Sequence, residues 1–291
     1  MRQFAKLCDV RDFEDPDVLR MLREILPERD PLAHVERKVW EFAMLGLFLE
    51  EAGRLHEGTA ALAVGAGDER VVFWLANRIG RVVATDIYGE GSFAEREATA
   101  TMLTDPASHA PFPYREEHLE VLYADARRLP FADASFDVVF SLSSIEHFGG
   151  PRDVASAARE MGRVLKPGGH AVVVTECFVR LDPRETALAD SVVRALTLNR
   201  KRKGATPRRR LIEAFTAREL RRRIVAPSGL ELVQGLDLSL SPESWNNLTV
   251  TYADGSLEPA TGDFYPHVLL TSGRSVFTSV CLPLRKALTA D

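Results

Sequence analysis

Cysteine is scarce. Cys8, Cys177 and Cys281 are the only three, far apart and without a CxxC pair, a set that builds neither a disulfide framework nor a zinc site and fits a reducing compartment. Long apolar runs are missing too: the candidates at 42–49 and 268–282 are short or interrupted, against the roughly 20 apolar residues of a membrane-spanning helix. The opening residues, Met1 to Asp12, lack the continuous apolar centre of a secretory signal, so a cytoplasmic protein without a membrane span is expected. Charge of one sign is not in excess. With 37 basic and 42 acidic residues the formal net charge is -5, and bulk charge singles out no partner. The seven histidines are scattered along the chain, with no metal-ligand spacing, and no internal repeat is visible.

What is present is enough for a substantial core: 291 residues, 45% of them hydrophobic, one α/β core being the simplest arrangement. Between 15 and 53 the pattern is helical, first with Val18, Leu19, Leu22, Ile25 and Leu26 before Pro27, then with a broad apolar helix through Val39, Trp40, Phe42 and Leu49. From Thr59 the pattern alternates between strand and helix, which marks a parallel sheet covered on both faces. Strands are expected at 60–64, 81–86, 119–123, 136–141 and 170–175, and helices at 69–79 and 153–164. The connection 87–118, with Gly89, Gly91, Pro106, Pro111 and Pro113, is unusually long. Beyond the fifth strand, 194–223 is strongly basic, including Arg200 to Lys203 and Arg208 to Arg210; a solvated basic helix is the default reading. A helix at 216–225, a strand at 230–238, a long loop at 241–266 and a last strand at 275–284 complete the chain.

Two segments carry chemistry. In Ala63-Val64-Gly65-Ala66-Gly67-Asp68-Glu69 a buried strand turns sharply into a helix, where backbone without Cβ atoms can approach a ligand closely. About 90 residues later an amphipathic helix stops at Lys166-Pro167-Gly168-Gly169 and an apolar strand follows. Together they resemble the class I S-adenosyl-L-methionine-dependent methyltransferases, small-molecule branch, over roughly 59–175. The resemblance implies a Rossmann-like, doubly wound α/β fold: a seven-stranded, mostly parallel sheet with its last strand antiparallel. An N-terminal helical cap (1–58) would precede a methyltransferase domain (59–291) with substrate-side insertions near 87–118, 178–223 and 241–266.

The same resemblance implies S-adenosyl-L-methionine as cofactor and gives residues their roles. The backbone of Val64, Gly65, Ala66 and Gly67 would lie against its methionine part and ribose. Asp86, followed by Ile87, would accept from both ribose hydroxyls, Asp125 and Ala126 would meet the adenine, and Ser141 would stand beside the transferable methyl. A dinucleotide fingerprint would place glycine at position 70, where this chain has Arg70. Two departures matter. The family's acidic residue before the first glycine is Ala63 here, and the turn's third glycine is Glu69, so Glu69 is expected to receive the cofactor's ammonium instead; improved helix initiation is its alternative role.

Glu146 and His147 follow the fourth strand, and imidazole titrates near neutrality, which makes His147 the better base for a hydroxyl acceptor. The expected function is methyl transfer to a small molecule, at a hydroxyl of a sugar, glycan precursor or secondary metabolite. The basic stretch could attract an anionic acceptor. Two alternatives stand beside this reading: an RNA or protein methyltransferase that docks through 194–223, and a noncatalytic module that binds the cofactor and acts through partners. Nucleic acid is not the expected partner, and Ser141-Leu142-Ser143-Ser144 lacks the Asp/Asn-Pro-Pro-aromatic turn of enzymes that methylate DNA amino groups, which speaks against that activity.

Overall fold

A computed structural model describes residues 2–91, 93–182, 214–252, 256–260 and 264–288. Runs of Ala, Val and Leu make the central strands, since side chains buried on both faces of a sheet leave no room for polar alternation. Strands of this kind are β1 (Ala60–Val64), β2 (Arg81–Asp86) and β4 (Phe136–Leu142), flanked by the partly exposed edge strand β3 (Leu119–Tyr123) and by β5 (Leu165–Arg180). All run parallel, in the order β3-β2-β1-β4-β5. The chain winds outward in both directions from the junction of β1 and β4, and the strands' carboxyl ends form one rim there, the place where open α/β sheets hold ligands. Register aligns that rim: Val64 lies opposite Thr85, and Ala63 opposite Phe140.

β10 (Ser275–Arg285) pairs antiparallel with β5. Beyond it the sheet is larger than the expected seven strands. β9 (Leu269–Ser272), β7 (Leu248–Thr251) and β8 (Leu257–Pro259) extend one edge, and β6 (Glu231–Leu232) pairs with the far end of β10, giving ten strands among the described residues. The segment 241–266 therefore holds strands, where a loop is expected from the sequence. Leu248-Thr249-Val250-Thr251 is a short β-branched run that finds an edge only because β9 offers one. Conversely, the strand expected at 230–238 shrinks to two residues. Its continuation turns to the N-terminal chain: Gln234 accepts from the Phe4 amide, and the Asp237 amide donates to the Ala5 carbonyl.

α1 (Pro16–Ile25) starts on an Asp15 cap and packs on α2 (Arg37–Glu51), which is buried almost all round. Both belong to the cluster containing Phe4, Phe73, Trp74 and Phe140 on one face of the sheet. α3 (Arg70–Ala76) covers the same face. α4 (Thr101–Thr104) is a single turn within the 87–118 connection, and α5 (Pro151–Val164) covers the opposite face with Val154, Ala158 and Met161. The residues ahead of α1 run beside β10, the Cys8 amide donating to the Ser279 carbonyl at 2.8 Å. Among the described residues no helix is long and apolar enough to cross a membrane, and no His/Cys/Asp/Glu group could hold a metal. The most basic part of 194–223, through Arg210, lies outside the described residues.

Candidate functional site

The turn after β1 depends on left-handed backbone at Gly65 (φ +68°) and Gly67 (φ +49°), conformations that favour glycine. The sequence suggests that the missing Cβ atoms leave room for a ligand, but here the protein's own chain takes that room. A Cβ on Gly65 would lie 2.7 Å from Ser144 Cβ and 2.8 Å from the Phe148 ring, and one on Gly67 would lie 2.8 Å from the Glu97 carbonyl. Ser144 Oγ also donates to the Gly65 carbonyl at 2.7 Å. The turn is thus pressed between the β4 exit and the 87–118 connection, with Val64 and Ala66 buried beside it.

Asp86 ends β2 and ties the rim together: the amides of Gly67 (2.9 Å) and Ile87 (2.7 Å) each donate to one of its oxygens. Burial pushes this carboxyl up, and the two N–H groups partly oppose the shift. Each oxygen still has lone-pair capacity for a ligand hydroxyl.

Glu69 stands where the helix cap would be but makes no capping bond. Its Oε1 accepts from Lys38 Nζ at 2.5 Å, whereas Oε2 is buried without a partner. Burial lifts its carboxyl to about 7; Lys38 opposes that lift, and the nearby carboxylates Glu41 and Asp86 add to it. Lys38 belongs to α2, as do two further members of this cluster, Arg37 and Glu41. Glu41 is fully buried and accepts from Ser143 Oγ and Ser279 Oγ, both at 2.6 Å. Arg37 pairs with Glu176 at 2.5 Å.

The exit of β4 carries the other half of the site. Ser141 is buried with its hydroxyl unpartnered. Ser143 holds a positive φ of 45°, an uncommon conformation for a residue with a side chain. In the 3-10 turn Ile145–His147, Glu146 is 3% exposed, takes a 2.7 Å hydrogen bond from Thr175 on one oxygen and has no partner on the other. Burial pushes its carboxyl well above the ordinary range, against the pull of neighbouring His147 and with the help of Glu176. His147 is exposed, its ring 4.9 Å from that of Phe93 in the 87–118 connection.

The structure therefore gathers Gly65, Gly67 and Asp86 into one rim with Ile87, and places Glu69 under α2. Asp125 is less integrated. Its carboxylate is 39% exposed and held by Arg127 at 2.6 Å in a local turn, while Ala126 packs into the core below. Missed from the sequence were Arg37, Lys38 and Glu41, hidden in a helix read for its apolar face. One signal was available: Glu41 interrupts the apolar run between Trp40 and Phe42, and a charge in the middle of such a run has to find a partner. The buried, unpartnered oxygens of Glu69 and Ser141, together with the Asp86 carboxylate, suit a ligand that carries both a cation and hydroxyls, which S-adenosyl-L-methionine does.

A family model described as a methyltransferase domain matches residues 62–173. Methyltransferase GfsG of Streptomyces halstedii is 30% identical over 163 residues, covering 55% of this chain and 51% of its own length. The 27-O-demethylrifamycin SV methyltransferase of Amycolatopsis mediterranei is 51% identical over 47 residues, 16% of each chain. In fold, a candidate methyltransferase from Bacillus halodurans superimposes with a TM-score of 0.50 at 18% identity, over 83% of this chain and 98% of that one. The chain spans about half the length of the first curated relatives it matches.

Proposed function

We propose that this chain is a class I S-adenosyl-L-methionine-dependent methyltransferase, a reading supported by the matching methyltransferase-domain model and the methyltransferase relative, and that it methylates a hydroxyl of a small molecule: a sugar, glycan precursor or secondary metabolite. The observation that carries the reading is the pairing of a buried carboxyl, Glu146, with an exposed imidazole, His147, in the turn leaving β4. The 27-O-demethylrifamycin relative supports oxygen as the acceptor atom.

Bound S-adenosyl-L-methionine supplies a methyl group already activated by its positive sulfur. The chain's work is then to hold, to position and to remove one proton. Asp86 would accept from the ribose hydroxyls, Glu69 Oε2 would receive the ammonium, and Asp125 with Ala126 would border the adenine. His147 takes the acceptor's hydroxyl proton on an imidazole nitrogen as the oxygen attacks. Glu146, where ionised, stabilises the imidazolium so formed, the counterpart of the pull that His147 exerts on Glu146. Phe93 packs on the His147 ring. Positioning of this kind is worth on the order of 7–11 kcal/mol.

The test is kinetic. His147→Ala should lower turnover by roughly 10²–10⁴-fold with cofactor affinity nearly unchanged, measured on an acceptor found by mass-spectrometric screening of extracts for a cofactor-dependent gain of one methyl. Turnover within about tenfold of wild type, with no base-limited rise in the pH profile, would remove His147 from the mechanism.

A further inference from the structure

Lys38 makes three contacts, one for each N–H of an ammonium: Glu69 Oε1 at 2.5 Å, Glu41 Oε2 at 3.2 Å and the Leu142 carbonyl at the end of β4 at 3.3 Å. Glu41 is saturated on its other oxygen by two serine hydroxyls. Of the two carboxylates that Lys38 touches, only Glu69 keeps an oxygen, Oε2, that is buried and bonded to nothing. Resting on the proposed cofactor site above, we propose that Lys38 of the N-terminal helix is a positioning residue for that site: it fixes Oε1 of Glu69 so that Oε2 stays open, as an anion, to the ligand's cation.

The surrounding charges make that role necessary. The groups facing Glu69 are Lys38 and Glu41 from α2, Asp86 from the end of β2 and Tyr88 beyond it. Lys38 is the only cation among them. Burial, Glu41 and Asp86 all favour a neutral Glu69, and a protonated carboxyl is a poor acceptor for an ammonium. With Lys38 gone, Glu69 would hold its proton to higher pH, and ligand binding would return only as alkali removes it. The Lys38 stem remains partly exposed, so losing its charge need not empty a core position.

Calorimetric titration with S-adenosyl-L-homocysteine tests this without any turnover, in wild type, Lys38→Met, Lys38→Gln, Lys38→Arg, Glu69→Gln and the Lys38→Met/Glu69→Gln double variant, at about pH 6.5 and about pH 8.5. Both uncharged Lys38 variants should bind about tenfold or more weakly at the lower pH and regain most of that loss at the higher one. Lys38→Arg should stay within about threefold of wild type, and the double variant should be no weaker than Glu69→Gln alone. Unchanged or tighter binding by the uncharged variants would show that Lys38 competes with the ligand and overturn the proposal. So would a loss independent of pH, or losses that add in the double variant. Failure of the folded wild type to bind would instead overturn the cofactor site itself, and the role of Lys38 with it.

Discussion

Ser143 donates its hydroxyl to Glu41 at 2.6 Å, joining a residue of positive φ at the exit of β4 to a fully buried carboxylate in the N-terminal helix. Strained backbone of this kind persists only where its surroundings hold it. Glu41 provides that hold, and Ser279 of β10 bonds the same oxygen. The exit of β4 is therefore shaped by α2 as well as by the sheet.

Glu41→Ala should be severely destabilising, because it leaves Arg37 and Lys38 without a shared counter-charge. Removing one partner of a buried charge cluster costs about 3–5 kcal/mol. Ser143→Ala should cost less, about 1–3 kcal/mol, since the Ser279 and Lys38 bonds to Glu41 survive. Urea denaturation would measure both, and equal midpoints for the two variants would contradict the arrangement.

Two glycines of nearly equal φ offer a matched comparison. Gly53 (φ +64°) has nothing within 4 Å of an added Cβ, whereas Gly65 (φ +68°) has Ser144 and Phe148 under 3 Å away. Gly53→Ala should cost only the left-handed backbone penalty, about 1–2 kcal/mol. Gly65→Ala should add an overpacking term of about 1–3 kcal/mol. Thermal melts of the pair would separate backbone conformation from contact.

Glu146 should make stability fall with pH. Its folded carboxyl titrates above its ordinary value of 4.5, so between the two values the native state binds more protons than the unfolded one. Stability is then fully present below about pH 4.5 and declines as pH rises through the raised value, by about 1.4 kcal/mol for each unit of displacement. Glu146→Gln should flatten that part of the profile. Melting temperatures at about pH 5 and about pH 8 that fall equally in variant and wild type would contradict it.

Asp86→Ala should weaken S-adenosyl-L-homocysteine binding by roughly 1.5–3 kcal/mol, about tenfold to a hundredfold. It also strips the Gly67 and Ile87 amides of their acceptor, so calorimetry needs a melt beside it. A folded variant that binds like wild type would take Asp86 out of the site.

Much of the sheet was legible because its signals are local. The expected limits of β1, β2 and β3 agree with the observed ones, each strand being a short stretch rich in apolar residues. β7 and β8 were not legible, since an edge strand of four residues forms only when a neighbour presents unpaired backbone, which Leu269–Ser272 does. At the site, the glycine turn and Asp86 could be placed at a strand end from spacing alone. That Gly65 is needed by Ser144 and Phe148 could not, because those residues lie some 80 positions along the chain.

Sequence alone determined the parallel α/β core and the rim at which its chemistry gathers, because periodicity and the Gly and Pro breaks at strand ends act within a few residues. Tertiary structure alone decided what completes the rim. Lys38 reaches Glu69 across 31 positions, Ser143 reaches Glu41 across 102 and Ser279 across 238. A buried charge demands a partner wherever the fold can bring one, and nothing in local spacing says which of the chain's 37 basic residues or its many hydroxyls that partner is.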